Sequence, residues 1–479
     1  MYAGSGGADA GAATGHHGHG HHGGGGGHAA ALSSAAAEAG DLDALVFEFG
    51  SARCKLGYAG EDFPRVYEAP VPPTRPPDHA APDWDGDSRA ARADAMAAAR
   101  MELEPERVAQ WLFDAAASRL RARVGDHPLL FVERPFALPP AIADDPSPSA
   151  GDGPRSPTTG GSTVDATTAG RAPAKKRDVR ARERLVEVLM EELGTPAVFL
   201  AKAPVLTCYA NARTSGLVVD LGATYSSVTT VHDGFALAYP KTQVALFGGH
   251  DLDAFLRTKL APQLIQQTTS TGPIPPASTV RFDHWWSYAI EAKESGLCRA
   301  ADGSFDEEQN AQLPRIHYEL PDKTLVTLGT ERFSTAEQYF RPPPVAIDNA
   351  SGGASPLAVG PGLAGPGFNL AELVADAGAR STEAELRKEL FQNVVLTGGG
   401  SSFENFPARL EREVAAASAG AFAGAAWRVK VVAAHAQERK VGAFLGGSIL
   451  ASLGSFHEMW LSKAEYAEHG AALVHKKCP

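Results

Sequence analysis

The sequence predicts an α/β protein whose two lobes close on a nucleotide, and three short segments carry that expectation. VFEFGSARCKLGYAGED from Val46 and LVVDLGATYSSVTTVHDG from Leu217 share one plan. In each, an apolar run ends in a carboxylate (Glu48, Asp220), a glycine follows two residues later (Gly50, Gly222), and small polar residues lead into a second apolar run. That is a strand, a tight turn and a returning strand, used twice. The third segment, LTGGG from Leu396 through Gly400, is a strand running into a glycine triplet. Glycine lets a backbone turn sharply and approach a ligand, so successive N–H groups can face phosphate oxygens, while a carboxylate can hold Mg2+ through water. Two such hairpins facing each other would clamp a nucleotide's phosphates.

The elements follow in chain order. Residues 1–40 are nearly all Gly, Ala, His and Ser, cannot bury enough apolar surface to offset ordering entropy, and read as a disordered tail. Its histidines, His16, His17, His19, His21, His22 and His28, are of a type that binds divalent metal, but a flexible tract of this kind reads first as solvated low complexity. From Asp41 the composition turns globular, with Leu45–Phe49 a buried strand and Lys55–Ala59 its partner. Residues 64–93 are Pro-rich and irregular. Ala91–Arg123 then reads as a helical region, with Val108, Leu112 and Phe113 on one face and Pro128 beyond its end. Leu129–Val132 is a short strand, followed by a Pro/Ser/Thr/Gly/Ala-rich insertion at 141–178 that reads as disordered. After it Leu185, Val188, Leu189 and Leu193 recur at helical spacing, Gly194-Thr195-Pro196 stops that helix, and Ala197–Ala201 is the next strand.

The second lobe is expected over 217–430. Within it, residues 250–310 look helical, the stretch from Arg315 alternates as a hairpin around Pro321-Asp322, and 341–367 is a flexible Pro/Gly-rich loop. Thr382 with Glu385 fits a capping box for a short helix ending before Asn393, which delivers strand Val394–Leu396 into the glycine triplet. Placed before the helical ENFPARLEREV, that triplet can present backbone amides at a helix start. Residues 431–479 would return to the first lobe, which also holds 41–140 and 179–216; Gly446, Gly447 and Ser448 in an apolar helix read there as core packing.

Composition narrows the function. A formal net charge of −12 and a pI near 5.7 argue against a free-standing, sequence-specific nucleic-acid binder, since phosphate contacts favour a basic surface. The four cysteines, Cys54, Cys208, Cys298 and Cys478, are far apart with no CxxC spacing, which fits a reduced intracellular protein and disfavours structural zinc. No run of 18 apolar residues and no signal-peptide pattern is present, so the reading is soluble, with no membrane and no secretion. The basic cluster of Lys175, Lys176, Arg177, Arg180, Arg182 and Arg184 has two readings, a nuclear import address or a solvated helix entry.

Four stretches then carry a resemblance. GYAGED at 57–62, TPAVFLAKAPVLTCYANARTSGLVVDLGAT at 195–224, the LTGGG turn, and ERKVGAFLGGSILASLGSFHEMWLSKAEY at 438–466 look like the actin superfamily. The likeness spans about 41–140, 179–340 and 380–479. Within the superfamily the chain is most similar to the nuclear actin-related protein 4 group, also called actin-like protein 6, on LGAT with VHDG, LPRIHYELPDKTL at 313–325 and the terminal Lys477-Cys478-Pro479. The resemblance implies two lobes of two subdomains each, with ATP or ADP and Mg2+ or Ca2+ in the cleft. It further implies that Gly50, Ser51 and Lys55 lie on the first phosphate hairpin and Asp220 and Gly222 on the second. Gly398, Gly399 and Phe403 would border the adenosine, and Lys440 would reach the base side. Asp220 would hold the metal through water, with Glu48 its altered counterpart on the first hairpin. Without the family, Phe403 reads as a core aromatic and Lys440 as a surface cation.

Departures from the family pattern point to a nucleotide that is held and not turned over. Hydrolysis needs a polar group to orient water and carboxylates to place the metal. Where actins carry a glutamine for that water, this chain has Ala203; Ala223 replaces an aspartate and Ser227 a histidine. Glu48 stands where the family has aspartate, and its extra methylene moves the carboxylate outward by roughly 1.5 Å, about one carbon–carbon bond length. No counterpart of the loop through which actin subunits engage neighbours is found between Pro64 and Leu129. The implied role is a non-hydrolysing structural subunit of nuclear chromatin-remodelling and histone-acetyltransferase complexes. It would pair with nuclear actin, sit on a helical segment of a remodelling ATPase, and join other subunits of SWI/SNF-type and related assemblies, its acidic surface suiting histones. The alternative is an active actin-like ATPase or cytoskeletal filament protein, against which residues 203, 223 and 227 weigh. A sugar or metabolite kinase would need a carboxylate base aimed at a substrate hydroxyl, and no motif supplies one.

Overall fold

The computed structural model describes residues 43–69, 105–133, 174–237, 242–245, 247–270, 288–320, 323, 325–341, 363–364, 369–419 and 428–479. The expected tail at 1–40, the irregular stretch beyond Ala69, residues 141–173 of the insertion and nearly all of the 341–367 loop lie outside them.

Strands β1 (Leu45–Glu48) and β2 (Cys54–Tyr58) form the first hairpin, which β3 (Val66–Glu68) extends. Helix α1 (Pro105–Ala115) runs into a wide π-helical turn over Ala116–Leu120 and stops at left-handed Arg121. The stack of Phe47 on Trp111 at 5.4 Å fixes α1 against the sheet, and Phe131 meets the Phe47 ring edge-on at 5.7 Å. Strand β4 (Leu129–Glu133) lies parallel to β1. Helix α2 (Ala174–Glu187) crosses back to β5 (Ala197–Lys202), parallel to β4. Helix α3 (Ala203–Ala210) follows at once, with Pro204 in the first turn, where a missing N–H loses no intrahelical bond.

The second lobe repeats the plan: β6 (Gly216–Leu221) and β7 (Ser226–His232) are its hairpin, joined by β8 (Phe235–Ala236) and β9 (Thr242–Ala245). There follow α4 (Gly249–Ser270), α5 (Glu307–Ala311), hairpin β10 (Ile316–Glu319) and β11 (Leu325–Leu328), α6 (Glu331–Glu337) and β12 (Leu363–Ala364). Then come α7 (Leu370–Ala379), α8 (Ala384–Gln392), β13 (Val394–Thr397), α9 (Phe406–Ser418), β14 (Val431–Ala433) and α10 (Ala436–Lys440). The chain re-enters the first lobe as α11 (Gly442–Ser452), β15 (Leu461–Ser462) and α12 (Lys463–His469). The first sheet runs β15-β5-β4-β1-β2-β3; the second runs β12-β9-β7-β6-β13-β14, with β8 on β7.

Each lobe has its own apolar core. A third, small cluster joins Cys208 of α3 to Val218, Val231 and Val395 of the second sheet, so α3 belongs to the seam between them. Its other side meets α11 so closely that a Cβ on Gly446 would lie 1.8 Å from the Leu206 carbonyl oxygen, which explains the small residues in that apolar helix.

Several expectations are corrected. The 250–310 region is not helical throughout: α4 and residues 288–294 are helical, residues 271–287 lie outside the described ones, and 295–306 is irregular up to α5. The Thr382/Glu385 capping box does not form; α8 begins after Glu383 with no side-chain cap, and the box found in the structure is Ser462/Glu465 at α12. The insertion ends by Ala174, where α2 starts, and not at 178. Leu363–Ala364, inside the expected 341–367 loop, pairs with β9. The return to the first lobe comes after 431, because β14 extends the second sheet beside β13. The hairpin expected around Pro321-Asp322 is present as β10 and β11.

Candidate functional site

The two glycine hairpins meet at their tips. Ser51 Oγ and Thr224 Oγ1 lie 2.9 Å apart, joining residues 173 positions apart in the chain. The second turn is closed by the Gly222 amide donating to Tyr225 O at 3.0 Å. Its remaining carbonyls are taken by the start of α4: Gly249 N donates to Gly222 O at 2.9 Å and His250 N to Ala223 O at 2.8 Å. In the first turn Gly50 O faces the Cys54 thiol.

The triplet is brought to the same place by β13, which pairs in parallel with β6 so that Thr397 stands opposite Asp220. Gly398 then takes φ +87, and a Cβ there would fall 2.5 Å from both Asp220 Oδ1 and Leu221 O. Its amide donates to Arg439 O at 2.9 Å, and Thr397 Oγ1 donates to the same oxygen at 3.1 Å. Arg439 is itself buried, its guanidinium donating to Ser401 O at 2.8 Å, Ser401 Oγ at 3.1 Å and Ala434 O at 2.7 Å. Gly399, by contrast, is exposed and faces open space.

On the first hairpin Lys55 pairs with Glu48, its register partner. Burial alone would lower the Lys55 pKa, but the charge and hydrogen bond of Glu48 outweigh it and the pKa is raised. Glu48 Oε2 is buried with no hydrogen-bond partner. Across the cleft Lys440 lies 3.6 Å from Glu294. Phe403 is placed in the second core, 6.2 Å from the Phe406 ring and 6% exposed.

Ala203 opens α3, its carbonyl accepting Thr207 Oγ1 at 2.9 Å; Ala223 sits at the second turn; Ser227 is buried in β7 opposite Asp220. Neither alanine has a group that polarises water.

A phosphate-bearing ligand with a divalent cation fits these residues. The space around Gly398 and Asp220 excludes a side chain, Glu48 Oε2 lacks a partner, and Gly399 is exposed with no atom against it. Among the described residues no group of three or more His, Cys, Asp or Glu could hold a metal, so a cation here would draw ligands from phosphates and water.

Paired strand–turn–strand units from two α/β lobes, meeting at their tips beside a glycine triplet, define a phosphate-clamp fold. The sequence profile of the Actin family matches residues 173–479, and the chain belongs to the actin family. It is 35% identical over 316 residues to actin-related protein 4 of Oryza sativa subsp. indica, covering 62% of this chain and 68% of the relative. The Arabidopsis thaliana actin-related protein 4 is 32% identical over 315 residues, with the same coverages. Human actin-like protein 9 is 29% identical over 447 residues, covering 91% of this chain and 88% of its own.

Sequence reasoning did not single out Thr224, Glu294 or Arg439. Thr224 had a signal, standing in the turn of the second repeat as Ser51 stands in the first. Glu294 and Arg439 had none, because their roles arise from long-range contacts.

Proposed function

We propose that this chain is a nuclear structural subunit of chromatin-remodelling and histone-acetyltransferase complexes, holding ATP or ADP with little or no turnover and pairing with nuclear actin. Family membership is the ground. What carries the reading beyond it is the similarity to actin-related protein 4 of two plants together with alanine at 203 and 223. A bound nucleotide would supply the negative charge that bridges the hairpins. Ser51 and Thr224 would flank its phosphates, Asp220 would place the cation through water, and Gly399 and Lys440 would lie toward the nucleoside. Held this way, nucleotide is a fastener between lobes, and the acidic surface is left for basic helices or histones.

The test is affinity purification of the tagged chain from nuclear extract at moderate salt. Recovery of actin and a large remodelling ATPase in near-equal amounts supports the scaffold role. A monomer or self-polymer lacking those partners overturns it. ATP turnover measured with and without actin separates a holder from an active ATPase.

A further inference from the structure

We infer that Arg53, and not Lys55, is the cation this chain offers to a nucleotide's phosphates. The inference deepens the nucleotide-holding reading and rests on it. Strand register sets Glu48 opposite Lys55 and Lys55 opposite Tyr67, so these three side chains form a row on one face of the first sheet. Two residues before Lys55, at the entry to β2, Arg53 shares that face by the period-two alternation of an extended chain. Lower on the same face, the positions of Val46 and Gly57 are covered by Gly447 and Phe444 of α11. The row therefore emerges from beneath α11 at Glu48 and Lys55 and ends at the tip where Ser51 meets Thr224.

Lys55 is already committed. It is 8% exposed and paired with Glu48, so the two together present almost no net charge. Arg53 is half-buried, and among the described residues its one hydrogen bond is from Nη1 to the adjoining Ala52 carbonyl at 3.0 Å, with no carboxylate paired to it. The Arg53 charge is felt at the Tyr67 phenol, as are Lys55, Glu48 and, from the second lobe, Glu294. The Tyr67 phenol is therefore within electrostatic range both of the first hairpin, Arg53 included, and of Glu294 of the second lobe, which pairs with Lys440. A guanidinium offers a planar fork of donors matched to phosphate oxygens and keeps its charge at any working pH.

The experiment is titration of the full-length chain with etheno-ATP and with adenosine, in Mg2+ and low salt, for wild type, Arg53→Leu, Arg53→Lys and Lys55→Gln. Arg53 is not buried, so its variants should melt near wild type by circular dichroism, whereas Lys55→Gln keeps a donor for Glu48 but loses the paired charge and should melt lower, so every titration is run at a temperature where circular dichroism shows all four chains folded. Arg53→Leu is expected to weaken ATP about 10- to 100-fold, the range of a lost charge-assisted contact, and to leave adenosine unchanged. Arg53→Lys should recover part of the loss, and Lys55→Gln should change ATP binding less than about threefold, a change smaller than one such contact supplies. Wild-type ATP affinity in Arg53→Leu, or the larger loss in Lys55→Gln, overturns the assignment while leaving the nucleotide reading intact. A wild-type chain that binds neither etheno-ATP nor adenosine overturns both.

Discussion

Replacing Gly398 by alanine tests whether the triplet shapes the site or merely follows it. The residue sits at φ +87 and ψ 152, a region a side chain adopts at a cost of about 1–3 kcal/mol. The added Cβ would also lie 2.5 Å from Asp220 Oδ1 and from Leu221 O, well inside the 3.4 Å at which ordinary contact begins. Neither neighbour yields freely. Leu221 O is main chain at the end of β6, and the Gly398 amide and Thr397 hydroxyl are both anchored on Arg439 O. Overpacking of this kind costs a further 1–3 kcal/mol or so. The sum, about 2–6 kcal/mol, is a large part of the roughly 5–15 kcal/mol that holds a typical domain folded. Urea unfolding followed by far-ultraviolet circular dichroism should register it, and etheno-ATP affinity should fall because Asp220 is displaced. Gly399→Ala, one residue on, faces open space and should stay within about 0.5 kcal/mol of wild type. A Gly398→Ala chain with wild-type stability and affinity, or an equal cost at Gly399, would refute the reasoning.

Gly446→Ala should also be costly to stability, about 3 kcal/mol, because its Cβ would overlap the Leu206 carbonyl oxygen at 1.8 Å and force α11 off α3; urea unfolding beside Gly454→Ala, which has open space, measures the difference. Burial pushes the thiols of Cys54 and Cys208 up to about 12 and those of Cys298 and Cys478 up to about 11. Folded thiols therefore keep protons that unfolded ones lose above 9.0, so stability should hold below that pH and fall as pH rises toward 11, by up to about 1.4 kcal/mol per pH unit per thiol. Iodoacetamide at pH 8 should label none of these four in the native chain and all four in urea, and native labelling would show that the burial is wrong. Ser51→Ala and Thr224→Val should each speed etheno-ATP release about threefold to tenfold, and the double variant no more than either alone, because both remove one hydroxyl pair.

The parts of this fold legible in sequence are those in which local pattern and local chemistry coincide. Glu48-x-Gly50 and Asp220-x-Gly222 each end an apolar run, and both folded as strand–turn–strand. The triplet after Val394 was legible for the same reason, since a buried strand delivered it. What failed was local chemistry overridden by packing. Thr382 and Glu385 carry capping-box spacing, yet α8 begins after Glu383 and the reciprocal bonds are absent. Residues 250–310 read as helical, but among the described residues the helix at 288–294 gives way to an irregular run at 295–306, where Arg299 bridges to Glu404. Arg439 is the clearest unreadable case. Its three carbonyl or hydroxyl partners come from Ser401 in the turn after β13 and from Ala434 just after β14, brought together in space, and an arginine–lysine dipeptide in sequence gives no sign of it.

Glu48 joins the two halves of the functional reading. From sequence, its extra methylene displaces a carboxylate that the family uses near the metal. In the structure the displaced group has gone to Lys55, one oxygen bound and the other buried without a partner. An ion pair this buried persists because each charge offsets the desolvation of the other, and breaking it from one side is expensive. The loss of a metal-placing carboxylate and the capture of a phosphate-facing lysine are then one event, and they leave Arg53 to meet the nucleotide. Shortening the side chain should undo both. In a Glu48→Asp background Lys55 is released toward the cleft, so adding Lys55→Gln should cost ATP binding about tenfold, the worth of one charge-assisted hydrogen bond, whereas the same change beside Glu48 costs little. Etheno-ATP titration of the four chains of this cycle reads the coupling directly, and an equal cost of Lys55→Gln in both backgrounds would show that Glu48 does not control which cation the phosphates see.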